Sequence, residues 1–308
     1  MSPRIPLQTK MLARRLAFWT DRLRSAEVRS NGDTMAIKVH HLKYSRAMAK
    51  AVIPKVGRLI CGKHTQNALS FIEIGAQILQ GKGSGTGWDF AAEFKAASGY
   101  IEKGAIIFDV GANKGEWTKA VLTLDPEIVY MFEPQQSCVE KYLRPMESGC
   151  CKVVDVAVGD REGDIDFYSP QEDAGNSSIY NRRDTCFAGQ DFQRSKVRIS
   201  TLDAFIEKMK IPRVDFLKID VEGHELFVLK GAKNSIGDRL IRAISFEFGS
   251  AGVYSRVFFR DIWDFLTAHD YKIYRILPGG SLVQIDSYYE DLEHFRGVSN
   301  YVAALDRR

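Results

Sequence analysis

The apolar and polar positions of this chain change their period near residue 105. Upstream, Leu12, Leu16, Trp19 and Leu23 fall at i, i+4, i+7 and i+11, which makes one helical stripe. Arg14, Arg15, Arg22 and Arg24 lie mostly off it. This stretch predicts an amphipathic helix packed on the body or on another chain. An arginine-rich transit segment or a membrane-surface helix would share the pattern. The glycine-rich, aperiodic "GKGSGTGWDF" (81–90) predicts a loop that closes a helical N-terminal region.

Downstream, short apolar runs alternate with helical patterns. "AIIFDV" predicts a strand and 116–124 a helix; "IVYMFEP" predicts a strand and "QSCVEKYLR" a helix. "CKVVDVAVG" reads as a third strand, 214–220 as a fourth followed by a helix over 224–232, and 241–249 as a fifth followed by a helix over 257–270. "YKIYRIL" comes last. Strands this apolar, alternating with helices, predict a parallel, doubly wound α/β sheet with helices on both faces. "GDIDFYSP" and "KVRISTLD" read as an antiparallel excursion around a polar loop, 171–195. The domain reading is therefore a basic, mainly helical extension over 1–100 and an α/β domain over 101–308.

Charge divides the same way. Residues 1–60 hold thirteen Lys/Arg and three acids, so that stretch is about +10, while the whole chain is only +4. A basic arm on a mildly acidic body suggests an anionic partner for the arm, either a surface or a membrane. No apolar run is long enough for a membrane span, and no secretory signal is expected. Five cysteines, two of them adjacent, suit a reducing, cytoplasmic setting and show no zinc-ligand spacing.

Candidate chemistry lies at the predicted strand ends, where open α/β sheets bind ligands. "FDVGANKG" ends the first strand with Asp109 and turns through Gly111, Ala112, Asn113 and Gly115. The glycines allow a tight turn and close ligand approach. Asn113 stands where a dinucleotide fingerprint wants its second glycine, so a non-phosphorylated nucleoside fits better. Glu133 and Pro134 end the second strand, where an acid can accept from a ribose diol. Asp155, Val156 and Ala157 end the third, with an acceptor for an adenine amino group and an apolar ring wall. Together these ends describe S-adenosylmethionine. "FLKIDVEGHE" ends the fourth strand. Asp220 is expected beside the reactive methyl group, and His224 is the candidate base because its ordinary pKa suits neutral pH. Asp220, Glu222 and Glu247 could hold Mg²⁺, since hard cations want carboxylate oxygen.

"FDVGANKG", "FEP", "VVDVAVGD", "NSSIY", "STLDAFI" and "FLKIDVEGHELFVLKGA" together resemble the FkbM family of S-adenosylmethionine-dependent methyltransferases, over roughly 105–305. The resemblance implies a Rossmann-like class I methyltransferase fold, with a seven-stranded, mostly parallel sheet whose last strand is antiparallel. It also implies O-methylation of a sugar, glycan or natural-product hydroxyl. Carried over by position, Asp109, Gly111, Asn113 and Gly115 form the cofactor turn, Glu133 holds the ribose, Asp155 and Val156 the adenine, and Asp220 lies by the methyl. Asn176 and Ser178 sit where the family's polar loop approaches cofactor or acceptor. The family varies at position 224. The competing readings are an NAD(P)-dependent oxidoreductase and a non-catalytic binding module on the same fold. A nucleic-acid substrate is disfavoured, because the body shows no aromatic and basic stacking groove. A homo-oligomer joined through the Leu12–Leu23 stripe is a further expectation.

Overall fold

The computed structural model describes residues 62–83, 85–170, 175–182 and 191–306, and the Leu12–Leu23 stripe lies outside them. The main sheet contains β1 (Ile106–Val110), β2 (Ile128–Phe132), β3 (Cys151–Val154), β7 (Val214–Ile219), β8 (Ile241–Gly249), β9 (Lys272–Ile276), β10 (Leu282–Ile285) and β11 (Val298–Ala304). Their order is β10-β9-β11-β8-β7-β1-β2-β3. β3, β2, β1, β7 and β8 are mutually parallel, and β11 runs antiparallel between β8 and β9. The expected antiparallel last strand is therefore present, inserted one place in from β9. β10 adds an eighth strand antiparallel to β9, beyond the seven expected.

The sheet positions its side chains by simple alternation. In β1, Ile106, Phe108 and Val110 enter the apolar core on one face, while Ile107 enters a second core on the other. Phe108 is wholly buried among Tyr130, Phe132 and Phe205. Burial of a ring like this contributes about 1.5–3 kcal/mol. Asp109 shares the parity of Ile107 but stands at the C-terminal end of the strand, where the second core gives way to the site.

Two sequence expectations change here. "CKVVDVAVG" does not form one strand: β3 ends at Val154, and Ala157–Val158 (β4) joins a second sheet with β5 (Gly163–Ser169) and β6 (Gln193–Ser200). Both halves are apolar, so periodicity could not show the chain crossing from one sheet to the other. The antiparallel excursion is β5 paired with β6. The second change concerns 81–90. Helix α1 (Lys63–Leu79) precedes it, and α2 (Gly85–Ser98) begins inside it. Its glycines disfavour helix by about 1 kcal/mol each. Packing outweighs them: Ala92, Ala96 and Ala97 are buried, and these small side chains let α2 lie close against β9 and β11.

Candidate functional site

Helix α3 (Glu116–Val121) follows β1 through a turn that contains the first glycines. Gly111 has φ +86, and a Cβ there would sit 1.8 Å from the Asp220 carbonyl oxygen. Only glycine lets β1 and the end of β7 approach this closely. The turn is stitched to β2: the Gly111 and Ala112 amides both donate to the Phe132 carbonyl. Asn113 adopts φ +46, and its amide donates to Glu133 Oε2 at 2.9 Å. Gly115 caps α3 with φ +71.

Glu133 is buried. Its other oxygen accepts from the Gln135 amide at 2.8 Å. Burial pushes its carboxyl up to about 7, against the pull of those two amides. Each oxygen still has a second lone pair to offer. Glu133 and Pro134 line a cavity with Val156, Ala157, Phe167 and Ile179 as an apolar wall. Gln135 and Ser177 add polar groups to it, and sequence reasoning assigned them no role. Asp155 lines neither this cavity nor its neighbour. At that point the chain is leaving β3 for the second sheet, so the expected amino-group acceptor does not line the cavity with its neighbours Val156 and Ala157.

A second, more open cleft adjoins the first and shares Gly111, Asn113, Gly175, Asp220 and Glu222 with it. Its own lining includes Asp109, Ala112, Trp117, Asn176, Lys218 and Glu247. Asp109 is fully buried, and one of its oxygens accepts from Thr118 Oγ1 at 2.6 Å. Burial pushes this carboxyl up, while Lys218 and Thr118 pull the other way. Asp109 Oδ1 and Trp117 Nε1 are buried without hydrogen-bond partners, an acceptor and a donor in the same cleft.

Lys218 was not singled out from sequence, although "FLKID" contains it. It is buried on β7, and its Nζ donates to Asp220 Oδ2 at 2.8 Å. Burial alone would push the ammonium down, but Asp220, Glu93 and Asp109 together hold it above its ordinary range. Glu93 belongs to α2, so a helix within 1–100 contributes to the charge balance of the site. A cation on an inward strand position beside predicted acids was the available signal.

Other predicted residues find different places. Glu222, at φ +55, pairs with the buried Arg182. Asn176 lines the open cleft, whereas Ser178 is buried and donates to the Glu222 carbonyl at 2.8 Å. His224 lines neither cavity. Glu222 and Gly223 both have positive φ, and they turn the chain so that His224 caps α4 (Glu225–Gly231). Its ring stacks on Phe227, and its Nδ1 lies 2.8 Å from the Tyr180 hydroxyl. Burial pushes the imidazole down to about 4. His224 is thus a neutral packed group rather than the base that sequence suggested. Among the described residues no group of three or more His, Cys, Asp or Glu could hold a metal. Lys218 holds Asp220 and Arg182 holds Glu222, so two of the three expected Mg²⁺ ligands serve as ion-pair partners instead.

The fit to S-adenosylmethionine can be tested on these residues. The cavity offers an apolar wall for a ring and a carboxylate with lone pairs for a diol. The Gly111 cradle admits no side chain, and the buried Asp109 Oδ1 can accept from an ammonium. A dinucleotide fits worse. The Asn113 amide, which a pyrophosphate would need, is already given to Glu133, and that carboxylate would repel phosphate.

The sequence model of the Methyltransferase FkbM domain matches residues 109–273. The hexuronic acid methyltransferase AglP of Haloferax volcanii is 29% identical over 139 residues, 44% of this chain and 53% of that protein. The chain thus spans about half the length of that curated relative. Among solved structures, Precorrin-6y C5,15-methyltransferase from Geobacter metallireducens GS-15 aligns at TM-score 0.36 and 10% identity, over 71% of this chain and 88% of that one. An rRNA methylase from Streptococcus thermophilus aligns at TM-score 0.35 and 10% identity, over 70% and 95%.

Proposed function

This chain belongs to the FkbM methyltransferase family, and from that premise we propose that it is an S-adenosylmethionine-dependent O-methyltransferase acting on a sugar, glycan or natural-product hydroxyl. The observation that carries the reading is the position of Asp220, which lines both the Glu133 cavity and the open cleft. A residue at that junction lies between a bound nucleoside and a bound acceptor.

When bound, S-adenosylmethionine supplies an electrophilic methyl group. The chain's own contribution is placement and proton handling. Glu133 orients the ribose, the Val156–Ala157 wall takes the ring, and Asp109 receives the ammonium. Asp220 accepts the acceptor hydroxyl's proton as a general base. Lys218 fixes the Asp220 carboxylate and keeps one of its oxygens engaged, which reduces the freedom lost on reaching the reactive geometry. The acceptor class follows from the open cleft. Asp220, Glu222, Glu247 and Asn176 line it with groups that suit a hydroxyl-rich molecule. The similarity to a hexuronic acid methyltransferase supports a sugar acceptor as well.

Calorimetry with S-adenosylhomocysteine tests the reading, and a low-micromolar heat is expected. Asp220→Asn keeps that binding but loses methyl transfer from labelled cofactor to a sugar panel. Absence of heat with either cofactor form overturns the proposal.

A further inference from the structure

Helix α1 turns its apolar face to solvent. Ala68, Leu69, Phe71, Ile72, Ala76 and Leu79 share one side, and Gln66, Ser70, Glu73 and Gln77 the other. In a helix packed on a body the apolar side is covered. Here Phe71 is 79% exposed, Leu79 76% and Ile72 65%. Nine large apolar side chains are exposed among the described residues, and five of them lie on this one helix, so the patch is a feature of α1 and not scatter.

The helix is firmly held at its C-terminal end. The Gln80 carbonyl accepts from Arg275 Nε at 2.7 Å, and the Gly83 amide donates to Ser299 Oγ at 2.9 Å. Gly81 lies so close to β9 that a Cβ would sit 2.1 Å from the Ile276 carbonyl oxygen. The exposed face is therefore presented by an anchored element that ends four residues before the Gly83 that lines the open cleft.

Charge decides what covers it. The segment directly before α1 carries about +10 over residues 1–60, whereas α1 itself carries only Lys63 and Glu73, which cancel. Pairing with a second copy of this chain would bring two such segments together, and they would repel. An anionic lipid surface neutralises the segment and accepts the apolar face. These are the two signals that stable interfacial binding requires, here divided between adjacent stretches of chain.

We infer that α1 docks on an anionic lipid bilayer, burying Phe71, Ile72 and Leu79 at the headgroup boundary while residues 1–60 supply the attraction. The test is flotation of the full chain with phosphatidylcholine vesicles, with and without about a third phosphatidylglycerol. The wild type is expected to float with the anionic vesicles and to be released as salt rises from about 0.1 to about 0.5 M. The triple variant Phe71→Glu, Ile72→Glu, Leu79→Glu should lose at least about tenfold in bound fraction while keeping the wild-type melting temperature, since these side chains are mostly exposed. Failure of the wild type to float overturns the inference. So does flotation that the triple variant leaves unchanged. A dimer that the triple variant converts to monomer, without vesicle binding, would assign the face to a second copy and overturn it equally.

Discussion

Asp109 and Lys218 stand opposite each other as register partners on β1 and β7, and their side chains reach the same end of the sheet. Asp220, two residues beyond Lys218 on the same chain, completes a buried cation between two carboxylates. The site is organised around this lysine.

Replacing Lys218 with Met should leave Asp109 and Asp220 without their shared cation. Removing one partner of a buried pair costs about 3–5 kcal/mol. The melting temperature should fall by roughly 10 °C, read by calorimetry on the purified variant. A change of only a degree or two would mean that the carboxylates find other partners.

Gly111→Ala tests the close approach of β1 to β7. The added methyl meets backbone at 1.8 Å, with no flexible side chain to yield, and φ is +86. Strain and overpacking together should cost about 3 kcal/mol, and S-adenosylhomocysteine affinity should drop at least about tenfold. Thermal melting and titration calorimetry would report the two effects separately.

Glu133 should make cofactor binding depend on pH. Burial raises its folded pKa from 4.5 to about 7. Its contribution to the stability of the unliganded protein is therefore present below the lower value and lost as pH rises through the upper one. Binding has the opposite sign, because the ionised carboxylate makes the stronger bonds to a ribose diol. S-adenosylhomocysteine should bind about tenfold more tightly near pH 8 than near pH 6. In Glu133→Gln, affinity should be lower and the profile flat. A wild-type profile without slope would contradict the ribose role.

His224 supplies the counter-test on catalysis. With its pKa pushed down from 6.5 to about 4, the imidazole stays neutral through the physiological range, and its contribution to stability is present above the upper value and lost progressively as pH falls from there through the lower one. His224→Phe should lower stability by about 1–3 kcal/mol through loss of the Tyr180 bond. It should leave the pH dependence of kcat unchanged. A profile that loses a limb in this variant would restore His224 as a base.

Much of the fold was legible from pattern. Apolar runs at strand length, each followed by a helical period, announced the parallel sheet, and acids at the strand ends marked the edge where the paired cavities open. Asp109, Gly111, Asn113, Glu133, Val156, Ala157 and Asp220 all reach the paired cavities as expected. The misreadings have local causes. Asp155 looked like another strand-end acid because nothing in its neighbours shows the chain changing sheets there. His224 looked like a base because its pKa was taken as ordinary, and only its burial beside Phe227 and Tyr180 lowers it. Residues 81–90 looked like loop because glycine propensity was the only information, before the buried alanines of α2 entered.

Which residues make strands, turns and helices depends on neighbours one to four positions away, and those are written in the chain. The alternation that puts Asp109 on the Ile107 face of β1 is of this kind. Its pairing with Lys218, the pairing of Glu222 with Arg182 and the burial that neutralises His224 are not. Each depends on segments that lie tens of residues or more apart, and on the loss of water when those segments meet. Charge and desolvation at such a meeting are properties of the assembled packing, so they became readable only once the strands stood side by side.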